Sequence, residues 1–393
     1  QSLGEFVTRF ARKRLAIVLA GSLIAGFSVA FVIGKSMGKS ETAHLDKQAA
    51  AHISANMKTV CVGRFLVDLP KEASVELARA NVDGFQVAAF PESLQDFESR
   101  LSRHEADIRA KPDRLGGNQN LELLQDVETN QFKGKLFVHS RTVTEGTASN
   151  GLEIERYRYE GVALDAMVHK AGISLNLTAN DYNVNGFNNL AKLVGQIEPR
   201  TENKVPGTGG FCVDHALLRG PLDAEQHESI MMFAHLPSHP DVRFMLILAA
   251  GVKPVEASLL QRDATAEAQL PMAQRMRLTK LRAGARTIGR LSGEEVIRRV
   301  AEENGANVYN FWWEVKGSES DVLVPHLVFK MNTGSGVNGP VPSSLSDGAA
   351  LALWDTISSS IRLHHAHTPK SPVASTRTTT ASAYVSAPRQ AAY

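Results

Sequence analysis

Apolar and polar residues alternate over much of the first half of the chain, a pattern that predicts β-strands. The alternating or strand-like stretches are residues 59–69, 75–90, 136–144, 153–160, 166–169 and 173–179. Turn residues interrupt them, with Asp83-Gly84 inside the second stretch, residues 147–151 after the third and residues 170–172 before the last. We therefore expect antiparallel hairpins.

Helical spacing of apolar residues is confined to a few segments. Between Pro91 and Pro112 it is carried by Leu94, Phe97, Leu101 and Ile108. Residues 255–286 are predicted to be largely helical, with an interruption at Pro271. Antiparallel strands with helices early and late in each half indicate an α+β fold, with the helices packed on one face of each sheet.

The chain repeats its landmarks after about 150 residues, which is the length of an ordinary domain. The repeated landmarks are 60–62 with 211–213, Asn150-Gly151 with Asn304-Gly305, and 184–186 with 337–339. Each half ends in an apolar-rich segment, 189–197 and 349–361. The repeat predicts two related domains, each with its own core, and a groove between them.

The repeat also decides one ambiguous segment. Residues 293–303 have helical spacing of their own, but they align with the strand at 136–145. Asn304-Gly305 is a strong hairpin signal, and it leads into the β-rich residues 308–315. We therefore predict a strand at 293–303.

The N-terminal part of the chain has the pattern of a membrane segment. Residues 15–34 carry no charge and are long enough, at about 20 residues, to cross a bilayer. Basic residues precede them at Arg9, Arg12, Lys13 and Arg14. The positive-inside rule then leaves residues 1–14 in the cytoplasm and exports the remainder, with an uncleaved inner-membrane anchor favoured over a signal peptide.

Composition changes along the chain suggest the remaining boundaries. Residues 35–57 form a polar linker, 58–203 the first domain, 204–210 a Pro- and Gly-containing hinge, 211–363 the second domain, and 364–393 a disordered Ser/Thr/Ala-rich tail. The balance of 43 basic and 41 acidic side chains offers no global field for nucleic acid, which we exclude as a partner.

The two cysteines occupy matching places in the two halves. In an oxidising compartment Cys61 and Cys212 could form a disulfide between the domains, provided that both lie beside the symmetry axis. Equivalent positions seldom meet so closely, so two separate buried thiols are the favoured alternative.

Sequence motifs for catalysis or cofactor binding are missing. There is no Gly-x-Ser-x-Gly elbow, and Ser292 and Ser335 are interpreted as turn residues. His235 and His239 have zinc-ligand spacing, but Pro237 and Pro240 place them in a loop. Histidines 364, 365 and 367 belong to the tail, and nucleotide-binding loops are not found. We predict no catalytic, metal or cofactor site.

An aromatic strand contains the one candidate binding residue. Tyr309, Phe311 and Trp313 share one face of it, and Trp312 points to the other. Trp312 either stands exposed as an anchor for a protein partner or is covered by a helix. We predict partner binding at Trp312.

Three segments resemble a known family. They are 60–70 (VCVGRFLVDLP), 210–214 (GFCVD) and 354–363, and they resemble the immunity proteins paired with class 4 lipase effectors of type VI secretion. The resemblance spans residues 58–363, and we interpret Arg64 and Asp68 as residues of domain structure. It implies a periplasmic, non-catalytic protein that binds its cognate lipase effector one to one and blocks the substrate entrance with a two-lobed clamp. The alternatives are an envelope hydrolase and a scaffold subunit of an envelope complex.

Overall fold

The computed structural model describes residues 37–117, 119–129, 132–150, 153–200, 204–220 and 227–364. The expected membrane segment 15–34 and the tail beyond His364 lie outside these residues. Within the described part of the chain, none of the helices combines the length and the apolarity that a membrane span requires.

The first domain follows a helix, α1 (Met37–Ile53), which occupies most of the predicted linker. Its elements are β1 (Met57–Val62), β2 (Phe65–Pro70), β3 (Ser74–Leu77), β4 (Ala80–Val82), β5 (Phe85–Pro91), α2 (Leu94–Ala110), β6 (Leu121–Thr129), β7 (Phe132–Asn150), β8 (Glu153–Lys170), β9 (Ile173–Asn183), α3 (Phe187–Gln196) and β10 (Ile197–Pro199). The turns predicted at Asp83-Gly84 and 170–172 are confirmed, because Asp83, Gly84, Ala171 and Gly172 all have positive φ. The turn predicted at 147–151 is wrong for residues 147–150, which continue β7 and pair with β8.

The second domain repeats this plan. Its elements are β11 (Phe211–Val213), β12 (Ala216–Leu218), β13 (Glu228–Leu236), β14 (His239–Ala250), α4 (Leu259–Ala268), α5 (Met272–Arg275), β15 (Leu278–Ile288), β16 (Leu291–Ala301), β17 (Asn307–Val315), β18 (His326–Asn332), β19 (Ser335–Gly336), β20 (Gly339–Pro340), α6 (Asp347–Ser359) and β21 (Arg362–Leu363). The strand predicted at 293–303 is confirmed as β16. The helix predicted to reach residue 286 is wrong, because residues from Leu278 onward pair with β16 along their whole length.

One antiparallel sheet runs through both domains. Its strand order is β15-β16-β17-β18-β14-β13-β4-β5-β9-β8-β7-β6, with β3 also paired to β13. The order is the same in both domains when each is followed inward from its outer edge, which confirms the duplication. Strand β13 of the second domain joins the two halves of this sheet, because it pairs with β3 and β4 of the first domain.

The domains also exchange strands in two small sheets. The opening hairpin β1–β2 of the first domain pairs with β21 at the end of the second domain, and the opening hairpin β11–β12 pairs with β10. This exchange brings Gly63 next to Cys212, with their backbone groups hydrogen-bonded in both directions at 2.8 and 3.0 Å. Cys61 and Cys212 form a disulfide, with Cα atoms 5.8 Å apart. The cysteines are therefore not the separate thiols that the sequence interpretation favoured.

The two expected cores are joined into one. A single cluster of buried residues includes Phe85 and Leu164 from the first domain, and Phe244 and Trp354 from the second. We call the boundary between the two domains the seam. Arg64 and Glu228 form a buried ion pair across it, with Nε–Oε2 at 2.8 Å and Nη2–Oε1 at 2.7 Å. One sheet and one cluster of buried residues run through both domains, so the prediction of separate cores is wrong.

The helices cover both faces of the sheet instead of the one face predicted. Phe137 of β7 packs with α2, whereas its neighbours Leu136 and Val138 point to the opposite side, where α3 packs. In the second domain Trp313 and Phe311 face Trp354 of α6, whereas Glu314 faces Arg262 of α4. Successive strand residues point to opposite faces, so apolar strands of this kind need a helix on each side.

Candidate functional site

The hairpin formed by β7 and β8 extends beyond the sheet as a free arm. Beyond Gly161, which pairs with Asn183, β8 has no pairing partner other than β7 among the described residues. Likewise β7 pairs with β6 only up to His139. We call residues 142–160 the arm, of which 142–150 and 153–160 are described.

The arm presents apolar and aromatic side chains to solvent. Ile154 is 77% exposed, Tyr157 47% and Tyr159 44%. The two tyrosines share one face, whereas Ile154 shares the other with Arg156 and Arg158. Isolated two-stranded hairpins are marginally stable in water, and exposed aromatic side chains are typical of protein interfaces. The arm therefore has the composition of a contact element.

Local contacts hold the arm in a defined shape. Tyr157 lies across the strand from Gly146, and a Cβ at Gly146 would come within 2.5 Å of the Tyr157 hydroxyl, so the glycine is what lets the ring lie flat on the arm. At the base, the Tyr159 hydroxyl donates to the Asp181 carbonyl at 2.6 Å, and the Thr142 hydroxyl donates to the Asp181 carboxylate at 2.7 Å. These contacts fix the direction in which the arm leaves the sheet.

The matching hairpin of the second domain has no arm. Pairing between β16 and β17 ends at Ala301 and Asn307, and the turn 302–306 connects the two strands directly. Gly305 adopts positive φ in this turn. The arm is thus an addition to one domain and not a consequence of the shared fold.

Trp312 is covered rather than exposed. Its ring is half-buried under α4, with the Lys330 Nζ 3.5 Å and the Arg262 Cζ 6.0 Å from the ring centroid. Burial lowers the pKa of Lys330 to about 8, against the opposing attraction of Glu314. The geometry offers Trp312 as a packing residue, and its predicted role in partner binding stays a prediction.

The two serines and the pair of histidines considered from the sequence lie in strands. Ser292 is in β16 and Ser335 in β19, where we had expected turns. His235 is in β13 and His239 begins β14, so the loop predicted for both histidines is reduced to the two residues between these strands. His364, assigned to the tail, is buried and lies with Nδ1 3.5 Å from the Cys61 Sγ. His365 and His367 lie outside the described residues.

Sequence reasoning missed a cluster of polar side chains under α2. The Asp165 Oδ2 lies 2.9 Å from the His104 Nε2 and 3.0 Å from the His139 Nε2. Burial would raise the pKa of Asp165, but the two histidines outweigh it and hold that pKa below its usual value. The three side chains come from three elements that are far apart in the sequence, so no short motif predicts the cluster.

The same cluster contains serine, histidine and aspartate but is not arranged as a hydrolase triad. The Ser140 hydroxyl lies 2.9 Å from the Nδ1 of its chain neighbour His139. It donates its proton to the Asn120 Oδ1 at 3.2 Å rather than to the ring. Since the base does not take the hydroxyl proton, Ser140 is not activated for attack. Two cavities found in the described part of the chain measure about 10 Å³ each, room for about one water.

Comparisons with known proteins agree with this architecture. Residues 58–171 match the family model "Tle cognate immunity protein 4 N-terminal domain", and residues 204–366 match the model of its C-terminal domain. No curated protein matches the chain in sequence.

Solved structures show the same fold. The apo immunity protein TplEi of the type VI secretion system from Pseudomonas aeruginosa is 24% identical with a TM-score of 0.64, over 78% of this chain and 97% of that one. Its complex with an "L" peptide gives 24% and 0.63, over 79% and 98%. The Tle4–Tli4 complex contains a chain that is 25% identical with a TM-score of 0.64, over 79% and 98%. The chain described here belongs to the Tle cognate immunity protein 4 family, the type VI secretion immunity proteins that are paired with lipase effectors.

Proposed function

We propose that this protein neutralises its cognate lipase effector in the periplasm by binding it one to one and covering its substrate entrance. The duplicated body acts as a two-lobed clamp, and the arm of the first domain is a principal contact. The observation that carries the proposal is a free-standing, aromatic arm on a member of a lipase immunity family.

The arm suits this task for energetic reasons. A stable complex buries at least about 1,200 Å² in total, and most of its binding energy comes from a few aromatic or arginine side chains. Tyr157, Tyr159 and Arg158 supply such side chains without any rearrangement of the core. In the described part of the arm, β7 and β8 pair with no strand besides each other, so a strand of the effector could add to either edge.

Binding is tested with the lipase whose gene neighbours that of this protein. The full chain should co-purify with the lipase and inhibit it on phospholipid vesicles, with inhibition complete at an equimolar ratio. Failure to bind this lipase would remove the proposal. Phospholipid turnover by the purified protein alone would favour the hydrolase alternative.

The arm is tested by Ile154→Thr and Tyr157→Thr, which keep β-propensity while removing the contact surface. Each should raise the Kd by about 10-fold or more, since an anchor contributes on the order of 1.4 kcal/mol or more. Met276→Thr is the matched control, because Met276 is also 77% exposed but lies far along the chain in the other domain. Equal affinity of all three variants would exclude the arm as a contact.

Trp312 remains part of the proposal as the binding residue predicted from the strand pattern. Because α4 covers it, we expect Trp312→Phe to change lipase affinity much less than Tyr157→Thr does. A larger effect at Trp312 would move the contact surface to the second domain.

Export is proposed from residues 15–34. A C-terminal epitope on the full chain should resist protease in intact cells, become accessible after the outer membrane is opened, and fractionate with the inner membrane. An epitope that stays protected in spheroplasts would contradict export.

A further inference from the structure

The cluster under α2 joins three elements of the first domain through side chains that ligate metals. His104 belongs to α2, His139 to β7 and Asp165 to β8. Their ligand atoms, two imidazole nitrogens and a carboxylate oxygen, lie within 4.8 Å of one another. His139 and Asp165 are buried, and the His104 side chain is 33% exposed.

The hydrogen bonds around His139 determine which ring nitrogen carries the proton. The Asn120 Nδ2 donates to the Ile108 carbonyl at 2.9 Å, so the Asn120 Oδ1 faces Ser140 and accepts its hydroxyl proton. The Ser140 oxygen is then left to accept from the His139 Nδ1–H at 2.9 Å. A neutral imidazole has one proton, so the His139 Nε2 presents a lone pair.

That lone pair faces an acceptor. The His139 Nε2 lies 3.0 Å from the Asp165 Oδ2, which is itself an ionised oxygen. Two acceptors at hydrogen-bond distance repel each other unless positive charge lies between them. A cation bound by both atoms supplies that charge.

We infer that His104, His139 and Asp165 form a binding site for a divalent transition-metal ion, with Zn²⁺ as the best chemical fit. Two imidazoles and one carboxylate are a common set of three protein ligands for zinc, with water in the fourth position. The partly exposed His104 side gives that water access. Ser140 supplies the outer contact that a ligating histidine makes through its other nitrogen.

The observed distances are close to those of a loaded site. Two ligands on a tetrahedral zinc are about 3.3 Å apart when each lies about 2.0–2.1 Å from the metal. The present separations of 2.9 and 3.0 Å need to widen by only a few tenths of an ångström. Rotation of the His104 side chain, which is anchored on a surface helix, can provide this.

The metal would act as a structural link. Helix α2 packs on the sheet through a small cluster of five buried residues, Phe97, Ile108, Leu121, Phe137 and Met167. A bound ion would tie α2 to β7 and β8 beside this cluster. The effect would therefore be on the stability of the first domain and not on chemistry.

The test is metal binding by the full chain after removal of metal with a chelator. Titration calorimetry with Zn²⁺ should show one equivalent bound, and Co²⁺ should give the visible absorption of a tetrahedral nitrogen- and oxygen-ligated site. At about 100 Kd of free Zn²⁺ the thermal midpoint should rise by roughly 5 °C. His139→Gln and Asp165→Asn should each weaken binding at least about 100-fold.

The matched control is His169→Gln. His169 is buried under the same helix, stacked on Phe97 and bonded to Ser174, but it is outside the cluster. Its variant should keep the full affinity for Zn²⁺. Circular dichroism of each variant checks that it is folded.

Two results would overturn the inference. If the folded wild-type chain binds no Zn²⁺, the three side chains form a hydrogen-bonded cluster and not a metal site. If binding persists in both His139→Gln and Asp165→Asn, the ion is held elsewhere, for example by the C-terminal histidines. Neither result depends on whether the protein inhibits a lipase.

Discussion

Helix α2 of the first domain contributes His104 and covers His139 and Asp165, whereas helix α4 of the second covers Trp312, whose ring lies near Lys330 and Arg262. Both helices lie on the same side of one continuous sheet, over strands in the same order. The shared fold therefore specifies that a helix covers this face, but not which side chains lie beneath it.

The domains differ in the same way at their hairpins. The first carries the arm and the second a short turn, although the strands that bear them are counterparts. Shared features lie in the inner core, where a change in volume costs stability. Features that differ lie outside it, where new chemistry or new contacts can be added at little cost.

The largest difference between the domains is expected at the seam. The turn of the opening hairpin contains Arg64 in the first domain and His215 in the second. Arg64→Met leaves Glu228, whose side chain is 2% exposed, without its partner and should reduce the free energy of unfolding by about 3–5 kcal/mol. His215→Asn, which tolerates the positive φ of that position, should cost less than about 1 kcal/mol.

Urea unfolding of both variants measures this difference. The double variant Arg64→Met/Glu228→Leu should recover most of the loss, since the penalty comes from the unpaired buried charge. Equal losses for Arg64→Met and His215→Asn would show that the turns are energetically alike.

Trp312 provides the next test of the helix-covered faces. Trp312→Ala should destabilise the protein by about 2–3 kcal/mol, less than a fully buried tryptophan because the ring is half-buried. Trp312→Phe should recover about half. A loss below about 1 kcal/mol would mean that α4 does not depend on this ring.

A pH effect in the alkaline range is expected from Lys330 in the second domain's cluster. The pKa of Lys330 is about 8 in the folded protein and about 10.4 in the unfolded chain, so unfolding takes up a proton between these values. Stability contributed by this site therefore rises with pH across that window, by on the order of 3 kcal/mol. Measuring the free energy of unfolding of the wild type and of Lys330→Met from pH 7 to 10.5 isolates the effect. Parallel curves of this free energy against pH would contradict it.

The smallest stability effect belongs to the arm. Ile154→Thr and Tyr157→Thr should change the free energy of unfolding by less than about 0.5 kcal/mol, because exposed positions contribute little to the core. Thermal unfolding without lipase measures this. A large loss would show that the arm stabilises the first domain rather than contacting a partner.

Local patterns predicted much of the fold. The alternation in residues 166–179 and the Lys170-Ala171-Gly172 turn specify a hairpin with short-range information alone, and the structure confirms it. The repeat replaced a helical prediction with a strand at residues 293–303. At residues 278–288 the helical prediction was kept, and it is wrong. There the decisive partner, β16, lies across a turn that periodicity does not see.

By itself, the sequence determined the duplication, the strand-rich α+β character and the lipase immunity family, because these depend on residues close together or on a pattern repeated along the chain. Tertiary structure alone decided that the domains share one core, that Cys61 meets Cys212, that α4 covers Trp312 and that His139 faces Asp165. These contacts join residues far apart in the chain; the two cysteines, for example, are separated by 151 positions. Only the strand exchange around the axis brings the cysteines together, and only the packing of a helix onto a sheet decides what it covers.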